Sequence, residues 1–293
     1  MTTNETGYDH PELLISPDSL AERLGVSVGA ASRSAKSTDP KAPTVIDLRT
    51  AECFAVGHIP GAVHLDLFGL SLIDTDPAPL KAFLWMIGHL LMSRGVDAER
   101  SVVVYDDVSG IRAARAFWFL EFFGHPNVQL LDGGVTGWER AGYFTTTETI
   151  KPDPKVWEIV QDDTKVATWR DVNTRLGNAE VVLLDTRSDG EYCGTTVRAK
   201  RGGAVPGAVH LEWANNIEKD GTFKSANDLR KMYEELGITR QKEIISYCHG
   251  GYRAAHSYVA LRLLGYGRVR NYVGSWKEWG DREDLPIEKI TDV

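Results

Sequence analysis

The run "YCHGGYR" (247–253) gathers side chains able to do chemistry: a thiol at Cys248, an imidazole at His249 and a guanidinium at Arg253, with Gly250 and Gly251 between them. A deprotonated cysteine is a strong nucleophile. Glycines lack a Cβ, so the chain across them can curl and aim several backbone N–H groups at one centre. Arg253 adds a permanent cation, and Tyr252 completes the loop. The set suits an anionic sulfur held in a ring of donors. In isolation a lone cysteine reads as a small hydrophobe; its place among the flanking elements argues otherwise.

Those elements are a strand and a helix. "EIISY" (243–247) reads as a short buried strand ending one residue before the cysteine, and "RAAHSYVALRLLG" reads as a helix closed by glycine. In open parallel sheets ligands sit outside the carboxyl ends of the strands. The helix that follows points its N-terminus, with unpaired N–H groups and about half a positive charge, at the same place. Such a position lowers a cysteine pKa.

The same arrangement occurs twice. "TVIDLRT" (44–50) is echoed by "VLLDTRS" (182–188), and "GHIPGAVHLD" (57–66) by "GAVPGAVHLE" (203–212). The stretch 102–134 matches 243–275 with one residue of gap, and Trp138 and Trp279 then fall at equivalent places. A repeat this long is a duplicated domain. Each half alternates apolar strands ("TVIDL", "SVVVY", "VQLL"; "VVLLD", "EIISY", "VRNYV") with helical segments, the pattern of a parallel sheet covered on both faces. The expected fold class is therefore α/β with two tandem domains. The first spans 10–145, the second 161–293, and a linker over 146–160 contains Pro152 and Pro154. Asp106 stands where the second half has Cys248, so only residues 161–293 can carry thiol chemistry, and the first half packs against them and shapes the pocket.

Composition narrows the function further. The 293 residues carry Lys+Arg 33 against Asp+Glu 41, a formal net charge of −8, which argues against nucleic-acid or anionic-membrane partners. "AFLWMIGHLLM" (82–92) is too short to span a bilayer, and the N-terminal run lacks signal-peptide features. Three widely spaced cysteines without a CxxC pair indicate neither a disulfide framework nor a metal site, which leads to an expectation of a cytoplasmic protein.

Two classes of cysteine chemistry use such a loop. Cysteine phosphatases, and arsenate reductases like them, need a Cys-x5-Arg ring wide enough for a tetrahedral oxyanion. Here Cys248 and Arg253 are spaced Cys-x4-Arg, a tighter cradle suited to one extra sulfur atom. On "DLR" and "GHIPGAVH" in the first half and "DTRSDGEY", "VPGAVHLEW", "CHGGYRAAHS" and "GSWKEW" in the second, the chain resembles the two-domain rhodanese family from about Leu14 to Glu288. Aspartate in place of the first nucleophile is habitual there.

The resemblance implies a double displacement. Cys248 takes the outer sulfur of a donor such as thiosulfate, holds it as a persulfide within the 248–253 loop, and passes it to cyanide or a thiol. No metal or organic cofactor is implied. A loop of the "CGSGV" type marks enzymes that prefer 3-mercaptopyruvate, whereas basic loops suit thiosulfate. "CHGGYR" retains a cation, so thiosulfate is the first expectation and 3-mercaptopyruvate the alternative. Two positions depart from the pattern. Gly250 replaces a loop lysine and Glu191 replaces an arginine, and both changes remove positive charge. A non-enzymatic sulfur carrier is the remaining rival.

Other residues have two readings each. Arg187 either binds the donor or braces Asp185, as Arg49 and Asp47 do in the first half; bracing is favoured because paired arginines are usually structural. Trp213 lines the pocket mouth or packs in the core, and His249 supports the persulfide charge or faces water. His58 and His210 read as structural, Cys53 and Cys193 as inert, with an oxidative pairing of Cys193 and Cys248 left open.

Overall fold

A computed structural model describes residues 7–29 and 42–290. Stretches 30–41 and 291–293 of the two expected domains lie outside the described residues. The first half contains strands β1 (Leu14–Ile15), β2 (Thr44–Asp47), β3 (Val63–His64), β4 (Val102–Tyr105) and β5 (Val128–Leu131). Its helices are α1 (Pro17–Leu24), α2 (Ala51–Val56), α3 (Pro77–Ser93), α4 (Ile111–Phe122) and α5 (Gly134–Arg140). The second half repeats the series with β6 (Val166–Ala167), β7 (Val181–Asp185), β8 (Val209–His210), β9 (Glu243–Tyr247) and β10 (Val269–Tyr272). Its helices are α6 (Trp169–Thr174), α7 (Asp189–Tyr192), α8 (Ala226–Glu235), α9 (Tyr252–Leu263) and α10 (Ser275–Trp279).

All strand pairings within these sheets are parallel. The order is β1-β5-β4-β2-β3 in one sheet and β6-β10-β9-β7-β8 in the other, so the duplication read from the sequence is a duplication of topology. The expected three strands per half become five. The added ones are two residues long, too short to show any alternation, and two of them lie in the repeated "AVH" segments.

Each outer sheet face has its own apolar layer, one around Val45, Val103 and Trp138, the other around Leu183, Ile245 and Trp279. The inner faces share a single core, in which Phe119 and Leu84 of the first half join Tyr258 and Leu263 of the second. Helices α4 and α9 meet there and are buried over most of their length. Polar ties cross the same seam: Tyr258 Oη donates to Glu121 at 2.6 Å, and Arg262 pairs with Glu121 at 3.3 Å. The run from Thr147 to Asp162 has no helix or strand. Trp157 sits edge-on to Phe123 and fastens it to the first half. We propose that the domain boundaries at 145 and 161 fall close to the two ends of this run.

One buried motif repeats in both sheets. Tyr247 Oη donates to Asp185 at 2.6 Å and accepts from the Val205 N–H at 3.1 Å, as Tyr105 does with Asp47 and Ile59. Removing that hydroxyl leaves a buried N–H without an acceptor, so Tyr247→Phe is expected to lower stability by about 1–3 kcal/mol. A fall in the urea midpoint at unchanged slope checks this, with Tyr105→Phe behaving alike.

Candidate active site

The chain leaves β9 at Tyr247 and places Cys248 at the carboxyl end of the sheet's central strand. Gly251 caps α9 in the left-handed region (φ 83°), a conformation that L side chains rarely adopt. The turn brings the Gly251 N–H to 3.1 Å from the Cys248 sulfur. From the far side, Ser275 Oγ accepts the Cys248 N–H at 3.1 Å and donates to the Tyr272 carbonyl at 2.7 Å. To do so Ser275 adopts φ 54°, the only positive φ at a non-glycine among the described residues. The Trp276 and Lys277 N–H groups at the start of α10 bond the Cys248 and His249 carbonyls. The loop is thus held from below while its own donors face the sulfur.

Cys248 is 1% exposed. Burial alone would raise its pKa, but Arg253, the N–H groups of Ala254 and Gly250, and Arg115 outweigh burial and bring it below the ordinary thiol value. The thiol thus lies among cations and loop N–H groups. Its counterpart gives an internal comparison. The Asp106 carboxylate accepts from the N–H groups of Gly110, Arg112 and Ala113, each at 3.0 Å, so the first loop is built round an anion as well. Burial pushes this carboxyl up to about 6, against the pull of those donors.

Arg253 lies in the loop, but its charge is shared. Its guanidinium forms a two-pronged pair with Glu191, at 2.5 and 3.0 Å. Glu191 also meets Arg198 at 3.5 Å and caps α7 through Ser188. Burial would raise the Glu191 pKa; Arg253 overrides it and draws the pKa down to about 2. The residue that departs from the expected arginine therefore fixes the one loop cation in place. His249 is kept neutral: burial first, then Arg198, Arg253 and Lys277, push its pKa down to about 4 against the pull of Glu191. Its Nδ1 is buried with no partner among the described residues.

The remaining candidates separate. Gly250 lies against Ser71 of the first half, and Tyr252 Oη donates to the Leu67 and Leu70 carbonyls at 2.6 and 3.0 Å, so the loop abuts the segment 67–71. Arg187 is 1% exposed; it grips Asp185 through Nε and Nη2, bonds the Gly203 carbonyl at 2.7 Å and stacks over Trp276, the geometry of a brace. Trp213 is half-buried, its ring edge-on to His256 at 5.0 Å. His58 and His210 bond backbone carbonyls. Cys53 and Cys193 are half-buried free thiols. Among the described residues no cluster of three or more His, Cys, Asp or Glu side chains could hold a metal ion.

Sequence reasoning missed three contributors. Lys277 reaches across to Ser71 Oγ at 3.0 Å, beside Gly250, and no carboxylate pairs with it among the described residues. Ser275 supports the Cys248 backbone. Arg115, fully buried in α4 of the other half, donates to the Gly250 carbonyl at 2.8 Å. The signal available was positional: Ser275 and Lys277 follow the strand next to β9, and Arg115 is one of three charges in α4, whose other residues are apolar.

The rhodanese-like domain pattern matches residues 31–141 and again 168–282. The chain belongs to the rhodanese family. A "Sulfur carrier protein TtuD" of Thermus thermophilus is 35% identical over 97% of this chain and 99% of its own length. A "Thiosulfate sulfurtransferase" of Pseudomonas aeruginosa is 34% identical over 94% of this chain and 97% of its own length. Among solved structures, an anaerobic ergothioneine biosynthesis enzyme from Chlorobium limicola superposes with a TM-score of 0.80 at 21% identity, covering 96% of this chain and 71% of that one, a likeness of fold. The protein is a sulfurtransferase of the rhodanese type. Among the described residues no helix is long and apolar enough to cross a membrane.

Two outcomes follow for this rhodanese. Alkylation of Cys248, followed by mass spectrometry across pH, should give a midpoint below the ordinary thiol value of about 8.5. The Glu191 pKa is lower in the folded protein than its ordinary 4.5, so its contribution to stability is complete above that pH and is lost as the pH falls toward about 2. Glu191→Gln should therefore lose less stability than the parent protein over that window in acid unfolding curves.

Proposed function

We propose that this sulfurtransferase moves the outer sulfur of thiosulfate to a small thiophilic acceptor through a persulfide on Cys248. The observation that carries the reading is the buried Cys248 sulfur facing the Gly251 N–H, with its pKa below the ordinary value. In the first step the Cys248 thiolate attacks the outer sulfur, the S–S bond of thiosulfate breaks, and its electron pair leaves with sulfite. The persulfide keeps one negative charge, which the loop donors already meet. In the second step cyanide attacks the terminal sulfur, thiocyanate forms, and the thiolate returns. No net electrons enter or leave.

Charge beside the loop favours thiosulfate as the donor. Arg253 is held by Glu191, but Arg198 is half exposed and Lys277 has no carboxylate partner among the described residues, so a dianion meets a positive rim despite Gly250. The relatives named thiosulfate sulfurtransferase, at 31–36% identity, support that donor over 3-mercaptopyruvate. The Thermus thermophilus relative, named a sulfur carrier, favours a second reading in which the persulfide goes to a protein acceptor. A reducing cytoplasm fits a chain whose described thiols are all free. The phosphatase reading is disfavoured by the Cys-x4-Arg spacing of Cys248 and Arg253.

Mass spectrometry after thiosulfate treatment is expected to show one added sulfur on Cys248. Cys248→Ser should abolish transfer with the fold intact, and no adduct from any donor tested would sink the mechanism. Turnover with cyanide as sole acceptor distinguishes the enzyme from an obligate carrier. Lys277→Met should raise the KM for thiosulfate about tenfold, an effect of the size expected for one partly exposed charge–charge contact.

A further inference from the structure

Arg115 belongs to the half without a nucleophile, yet it is 0% exposed and lies directly beneath the loop of the other half. Its guanidinium packs over the ring of Tyr252, 4.2 Å from the centroid, and a Cβ on Gly251 would collide with it. One nitrogen, Nη1, donates to the Gly250 carbonyl at 2.8 Å. Nε and Nη2 are buried with no hydrogen-bond partner among the described residues, and no carboxylate pairs with the group there. A buried cation without a counter-charge is strongly unfavourable. Burial pushes the Arg115 pKa down, and the two groups that oppose this are Tyr252 and Cys248.

The Gly250 carbonyl and the Gly251 N–H belong to one peptide unit. In a trans peptide these two groups point in opposite directions. With the carbonyl fixed on Arg115, the N–H is directed at the Cys248 sulfur, where it lies at 3.1 Å. A cation on the carbonyl also polarises the unit and strengthens its N–H as a donor.

The opposite arm is built the same way with a neutral residue. His256, which aligns with Arg115 in the repeat, bonds the Ser109 carbonyl at 2.8 Å, and the next N–H, that of Gly110, donates to Asp106 at 3.0 Å. Burial keeps His256 uncharged, its pKa down at about 4. Each half thus reaches across the seam to steady the other's loop, and only the arm that serves Cys248 carries a charge.

We infer that Arg115 is a positioning residue for sulfur transfer: from the half lacking a nucleophile, it orients the Gly250–Gly251 peptide and serves as the buried counter-charge of the Cys248 thiolate and persulfide. The inference rests on Cys248 being the nucleophile, but its readout is the titration of the thiol, which needs no sulfur donor. A chain that titrates as expected yet forms no persulfide would overturn the sulfur-transfer reading and leave this inference standing.

The experiment follows Cys248 alkylation against pH in the full chain, for the parent protein, Arg115→Gln and Arg115→Lys, with circular dichroism confirming the fold. Arg115→Gln is expected to raise the thiol midpoint by about one pH unit, a tenfold loss of thiolate below it, and Arg115→Lys to restore most of it. A folded Arg115→Gln with an unchanged midpoint overturns the inference. If only Arg115→Lys folds, a midpoint displaced by a unit or more overturns it, and an unchanged midpoint supports it. Failure of both to fold assigns Arg115 to packing alone and overturns it as well.

Discussion

A negative sulfur atom cannot be buried unless its surroundings replace the water it gives up. Most of what is particular to this chain meets that demand. The glycines at 250 and 251 let the backbone turn its N–H groups inward, and α9 begins where the sulfur sits. Arg253 supplies charge from the loop and Arg115 from the opposite domain, while Ser275 adopts a rarely populated backbone conformation to hold the cysteine's own amide. The outcome is a thiol ionised more readily than usual although it is almost closed off from solvent.

Duplication gives a second solution to the same electrostatic problem within one molecule. In the first loop a carboxylate occupies the ring of amides, and the loop contains one residue more between anion and arginine, Asp106 to Arg112 against Cys248 to Arg253. A carboxylate has no sulfur with which to form a persulfide. The shared core explains that loop's retention: α4 and α9 bury each other's apolar faces, and neither sheet could cover its inner side alone.

Much of this was legible in the sequence. The duplication, the long strands, the principal helices and the position of Cys248 at a strand end all follow from short-range patterns. The two-residue strands β1, β3, β6 and β8 were not legible, because a pattern needs more residues than they contain. The site was legible only where it is contiguous. Residues 248–253 stand together in the chain, whereas Lys277, Ser275 and Arg115 reach the loop from other elements, and no local spacing encodes that proximity. Glu191 could be seen as a departure, but its role as the clamp on Arg253 depends on α7 meeting the first turn of α9.

The segment from Leu67 to Thr75 has a mechanical consequence. It belongs to the first domain, yet Tyr252 fastens it at one end and Glu278 at the other, where the Thr75 amide and hydroxyl both donate to the carboxylate. The stretch of the first domain that abuts Gly250 is therefore tethered at both ends to the second, as a strap is by its two buckles.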